Sequence, residues 1–90
     1  MASRFKYLRA VRNKNYVQQG VIYFTLQDYA RQSDKTKEKI LALCDKAGGE
    51  YAAGLLEYLT TDADWRYICD KHYISSATLD RIRVKFYELW

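Results

Sequence analysis

The chain has 90 residues, of which 49% are hydrophobic and 29% charged, with no proline and only four glycines. That length suits one domain spanning residues 1–90, the composition is unlike that of a disordered chain, and the shortage of turn residues argues against a sandwich or barrel. The net charge is +4, from 15 Lys and Arg against 11 Asp and Glu, and no apolar run approaches the ~20 residues that span a bilayer.

The charge is unevenly spread. Residues 1–27 hold Arg4, Lys6, Arg9, Arg12 and Lys14 and no acid, whereas residues 28–90 carry 10 basic and 11 acidic side chains. Clustered Lys and Arg release counterions from a phosphate backbone, so residues 1–14 read as a basic arm or helix for a polyanion. A solvated basic face is the plainer alternative. The opening MASRFKYLRAVRNK has no apolar stretch behind its basic residues, which does not suit a secretory signal. A cytoplasmic location is therefore expected.

From about Asn15 to Gln32 the residues Tyr16, Val17, Val21, Phe24, Gln27 and Ala30 suit a helix. The β-branched and aromatic run Val21–Thr25 leaves a hairpin with the KYLRAV segment as the alternative. Ser33 or Asp34 then caps a helix carrying Ile40, Leu43, Cys44 and Ala47, which Gly48 and Gly49 stop. Tyr51, Leu55, Tyr58 and Leu59 form the apolar stripe of a further helix. Asp62 or Asp64 opens a short helix through Lys71 with Trp65, Ile68 and Cys69, and His72, Tyr73 and Ile74 make a tight connection. Ser75 caps a last helix to Leu89, with Leu79, Ile82, Phe86 and Leu89 as its buried stripe. The expected fold class is all-α, a small bundle ending in a helix-turn-helix at residues 61–90.

The string W-x-x-I-C-x-x-x-x-I-S-x-x-T-L-x-R-I, from Trp65 to Ile82, resembles the helix-turn-helix of bacterial regulators with a sigma region 4-like motif. Among these it is most similar to small phage and mobile-element transcription regulators of the RinA/ArpU kind. The resemblance covers about residues 61–86 and implies double-stranded DNA as the partner. This chain departs from the motif in two places. Tyr73 stands where the tight turn usually has Gly, which predicts an opened or altered turn, because a tyrosine is disfavoured in the left-handed region. His72 stands where Leu is common and is expected to pack with its tip hydrogen-bonded.

Helix geometry then distributes the roles. Ser76, Ala77, Asp80 and Arg81 lie on the face that a recognition helix turns toward base edges. Arg81 is placed to contact guanine O6 and N7, and Asp80 to orient Arg81 or accept from a cytosine amine. Arg66, Thr78, Arg83 and Lys85, with Arg4, Lys6, Arg9 and Arg12 from the arm, are candidates for phosphate. Most of the 14 aromatic residues should be core, but Phe86, Tyr87, Leu89 and Trp90 exceed what one helix face buries. A homodimer interface, or packing on the N-terminal helix, would use the surplus.

Nothing points to catalysis: the chain has no paired nucleophile and base, no phosphate-binding glycine loop and no metal constellation. Cys44, Cys69 and the single histidine His72 lack the paired spacings of a zinc site, and reduced, buried thiols are expected. No cofactor is expected. The competing functional readings are a module that binds a host protein, such as RNA polymerase or a defence complex, and a recombination or DNA-packaging accessory protein.

Overall fold

The structure is a computed structural model that describes residues 5–90. Five α-helices follow in order: α1 Tyr16–Gln27, α2 Asp34–Gly48, α3 Ala52–Thr60, α4 Trp65–His72 and α5 Ser76–Leu89. Short 3-10 turns at Tyr29–Arg31 and Gly49–Tyr51 flank α2. There is no strand among the described residues, so the fold is an all-α bundle and the hairpin alternative is discarded.

Local chemistry sets the helix ends. Asn15 and Gln18 form a reciprocal capping box at α1, each side chain accepting from the other's backbone N–H at 2.8 Å. Ser33 Oγ accepts from Thr36 N at 3.2 Å and Ser75 Oγ from Thr78 N at 3.1 Å, which satisfies an orphan amide of α2 and of α5. Gly49, at φ 54°, takes the positive-φ position that ends α2. The helix expected to run to Gln32 stops at Gln27 instead. The chain leaves the helix at Asp28, φ −101° and ψ 30°, a residue type whose short polar side chain favours helix ends over interiors. Of the two aspartates expected to open α4, Asp64 is the N-cap and the helix starts at Trp65, and Ser75 caps α5 as expected.

Helix α2 packs chiefly against α5 and α3, and α4 against α3 and α5. The core is continuous through Ile22, Leu26, Ile40, Cys44, Leu55, Ile68, Ile74, Leu79, Ile82 and Phe86. Each such side chain, fully buried, stabilises by about 1.5–3 kcal/mol before entropy is counted. Burial pushes the Cys44 thiol up to about 12 and the Tyr87 hydroxyl likewise to about 12. Cys69 is only half-buried, contrary to expectation. Leu89 is 41% exposed rather than part of the buried stripe, and Tyr87 is buried instead. Trp90 folds back onto the bundle, its ring 6.0 Å from that of Phe86 and under the Lys39 ammonium of α2 at 4.2 Å. The C-terminal aromatics thus find partners within the chain.

Residues 5–14 are neither a helix nor a detached arm. Val11 is fully buried, and the segment is pinned by Gln19, itself fully buried on α1. Leu8 N donates to Gln19 Oε1 at 2.8 Å, and Gln19 Nε2 donates to the Leu8 and Lys14 carbonyls at 3.1 and 3.2 Å. Beyond it, Asn13 Nδ2 and Lys14 Nζ both donate to the Glu88 carbonyl. They satisfy an orphan acceptor at the negative end of α5.

The buried face of α1 is Gln19, Ile22 and Leu26. Tyr16, Val17, Val21 and Phe24, whose spacing marked the helix, point outward. The ring of Phe5 bridges this outer face, with centroids 5.1 Å from Tyr16 and 6.2 Å from Phe24.

Candidate nucleic-acid interface

Helices α4 and α5 are joined by Tyr73, Ile74 and Ser75. Tyr73 sits at φ 57° and ψ 46°, fully within the left-handed region, with 89% of its surface exposed. The sequence predicts that a tyrosine here opens the turn or alters its geometry. Instead the left-handed cap is kept, closed by backbone bonds from Tyr73 N and Ile74 N to the Cys69 carbonyl. The buried side chain of Ile74 anchors the conformation. Ile74 is inserted in the core beside Gly54 of α3, where an added Cβ would meet Ile74 Cδ1 at 2.6 Å and His72 Cγ at 2.9 Å. Only glycine at position 54 allows the turn to lie this close to α3.

His72 is half-buried and its tip is hydrogen-bonded, as expected. Its Nε2 lies 2.8 Å from Glu57 Oε1; a carboxylate only accepts, so Nε2 carries the proton. Lys71 Nζ donates to Glu57 Oε2 at 3.2 Å. These two donors, His72 foremost, hold the Glu57 carboxyl below the usual carboxylate range, while its carboxylate and the Tyr67 hydroxyl raise Lys71. The cluster ties α3 to the last turn of α4. Glu57 carried no signal in the sequence, because its partners are 14 and 15 residues away.

On α5 the buried side is Leu79, Ile82, Phe86 and Tyr87, and Ser76, Ala77, Asp80, Arg81 and Lys85 are exposed. Asp80 does not orient Arg81. Its Oδ1 accepts from the Arg83 guanidinium at 2.5 Å, since residues three apart on a helix are neighbours and adjacent ones are not. Arg83 also lies over the Tyr58 ring at 5.6 Å, so this phosphate candidate is already engaged within the protein. Arg81 makes no ion pair among the described residues. Thr78 is half-buried, and its hydroxyl accepts from Ser75 Oγ at 2.9 Å.

Ser76, Leu79, Asp80 and Arg83 line a groove of about 230 Å³ together with Tyr58 and Trp65. The two aromatic walls were not anticipated as site residues; Tyr58 comes from α3, outside the motif. Arg66 is exposed with its guanidinium over Trp65 at 5.1 Å. Lys6, Arg9 and Arg12 are exposed on the N-terminal segment, while Arg4 lies outside the described residues. Through Lys14 and Glu88 that segment meets the C-terminal end of α5, roughly 18 Å along the helix axis from Ser76 at 1.5 Å per residue. Among the described residues no group of His, Cys, Asp and Glu is arranged to hold a metal ion, and no helix is long and apolar enough to cross a membrane.

No protein family model, curated protein or solved structure matches the chain.

Proposed function

We propose that the protein binds double-stranded DNA sequence-specifically through a helix-turn-helix formed by α4, the Tyr73–Ser75 turn and α5, as a phage or mobile-element transcription regulator. One observation carries the reading: the left-handed turn and the Ser75 cap leave Ser76, Ala77, Asp80 and Arg81 exposed at the start of a helix whose opposite side is core. The first turns of such a helix meet base edges in the major groove. Arg81, which makes no ion pair among the described residues, supplies a fork of donors for guanine. Arg66, Lys85 and the basic residues Lys6, Arg9 and Arg12 add phosphate contacts that position the helix. Arg83, held by Asp80 and Tyr58, shapes the surface rather than reading it.

Binding-site selection from random duplexes, followed by anisotropy across a salt series, tests this. Arg81→Ala should lose ~1–3 kcal/mol on the selected duplex and relax preference at one base pair. An equal loss on scrambled duplex means a phosphate contact instead. Absence of any selected sequence defeats the proposal.

A second reading draws on the groove between Tyr58, Trp65 and Leu79. An aromatic-walled recess with a charged rim suits a side chain of a protein partner, such as host RNA polymerase or a defence complex. Trp65→Ala separates the two readings, since it should abolish capture of a protein partner and leave the salt slope of duplex binding unchanged.

A further inference from the structure

Among the described residues only Gly49 and Tyr73 have a positive φ. Glycine enters that region at no steric cost, whereas a residue with a Cβ is strained there. Such strain persists where the surroundings compensate it, and it collects at functional sites. The Tyr73 side chain supplies no compensation within the chain. It is the most exposed of the large apolar and aromatic residues, and its ring and hydroxyl make no hydrogen bond or ring contact among the described residues. The turn is held by the buried Ile74 and by backbone bonds to the Cys69 carbonyl, which use no atom of the phenol. A glycine would serve this backbone without the strain.

We infer that the Tyr73 hydroxyl donates a hydrogen bond to a backbone phosphate of duplex DNA, as a positioning residue for α5. The inference deepens the DNA-binding reading and rests on it. Tyr73 lies two residues before the Ser75 cap and three before Ser76, the first residue of α5. Three residues span at most about 10 Å. The major groove is about 12 Å wide, so a helix start seated in it has a phosphate strand close by on either side. A turn this near the helix start is brought to one of those strands while Ser76 and Arg81 face base edges. The other side-chain donors of the turn are already engaged. Lys71 and His72 are bonded to Glu57, and Ser75 Oγ to Thr78. From Lys71 to Ser75 the Tyr73 hydroxyl is the one such donor left unengaged among the described residues. Tyrosine hydroxyls are ordinary donors to phosphate oxygens, which fix the register of a protein on the duplex.

Tyr73→Phe keeps the ring and the backbone and removes only the hydroxyl. Fluorescence anisotropy on the selected duplex and on a scrambled one, across a salt series, reads the effect. Affinity should fall roughly tenfold on both duplexes, because a hydrogen bond to a charged acceptor is lost and a phosphate carries no sequence information. The slope of log affinity against log salt should keep its wild-type value, since no cation has been removed. The melting temperature should not move, as the hydroxyl has no partner within the protein. Tyr73→Gly should lose at least as much affinity although its backbone is relaxed. Unchanged affinity in both variants overturns the inference. So does a loss in Tyr73→Gly alone, which would assign the contact to the ring. A loss confined to the selected duplex overturns it in favour of a base edge, and a flattened salt slope in favour of a displaced basic side chain. A wild type that selects no duplex defeats the proposed function and this inference with it. All the other outcomes arise with a wild type that binds, so the two failures are told apart.

Discussion

Gln19 completes both backbone hydrogen bonds of Leu8: its Oε1 accepts from Leu8 N at 2.8 Å and its Nε2 donates to Leu8 O at 3.1 Å. One buried amide thus acts as a strand partner for a segment that has no other regular structure. The basic residues between Leu8 and Lys14 are held on the bundle by this contact and by the Glu88 carbonyl. Any part they play in binding is that of a fixed surface rather than a floating tail.

Gln19→Leu keeps most of the side-chain volume and removes every one of these bonds. It should destabilise the fold by ~2–3 kcal/mol, since buried partners are left unsatisfied. For a domain of this size that corresponds to roughly 10–20 °C in melting temperature. Thermal denaturation measures it, and limited trypsin digestion should show earlier cleavage at Arg9 and Arg12. An unchanged melting temperature would show that water replaces the amide at no cost.

The helices were legible because caps and apolar spacing agreed at Ser33, Gly49 and Ser75. The orientation of α1 was not. YVQQGVIYFTLQ is apolar on two sides, so periodicity marks a helix without marking which side is inward. The buried side contains a glutamine that sequence patterning assigns to solvent. What decides is the tertiary need of the Leu8 and Lys14 backbone, which no local pattern displays. On α5 the exposed face was legible residue by residue. Asp80 pairs with Arg83 and not with Arg81, because residues three apart, unlike adjacent ones, face each other on a helix. Tyr58 entered the groove from another element, which spacing within the motif does not reveal.

Gly54 is the second place where packing overrides propensity. Alanine is the better helix former by about 1 kcal/mol in an exposed interior. Here the new Cβ would press on Ile74 Cδ1 and on the stem of His72. Ile74 Cδ1 is the end of a flexible side chain, whereas the His72 Cγ and Cβ atoms at 2.9 and 3.0 Å belong to a stem fixed by the backbone. Gly54→Ala should therefore lower stability by ~1–3 kcal/mol by denaturant titration. A stabilised variant would show that the turn is not locked against α3.

Tyr73 holds a left-handed backbone with almost none of its ring buried. The conformation costs roughly 1–2 kcal/mol for an L-residue, and the ring contributes little packing to offset it. Tyr73→Gly should stabilise the fold by ~0.5–1 kcal/mol, the relief being partly cancelled by the greater freedom of glycine in the unfolded chain. If the same variant binds the selected duplex more weakly, the strain is retained for a contact made by the tyrosine. Melting temperature and duplex affinity measured together distinguish a merely tolerated residue from a functional one.

The Glu57 cluster makes a pH-dependent link between α3 and the last turn of α4. The His72 and Lys71 hydrogen bonds hold the folded-state carboxyl below its ordinary value of 4.5. A carboxyl depressed in the folded state binds protons less readily there than in the unfolded chain. Its contribution is present above the unfolded value and is lost as pH falls through the lower, folded one. Glu57→Gln keeps an oxygen that accepts but removes the charge, so it has no such acid limb. The melting temperature of wild type should exceed that of Glu57→Gln near neutral pH, and the difference should close as pH falls below the ordinary value of 4.5. Added salt should shrink the difference at neutral pH, because the group is partly exposed and its charge is screened. A gap that persists unchanged however far the pH is lowered below that value would mean that Glu57 acts through packing, and that the charge on its carboxylate does not hold the two helices together.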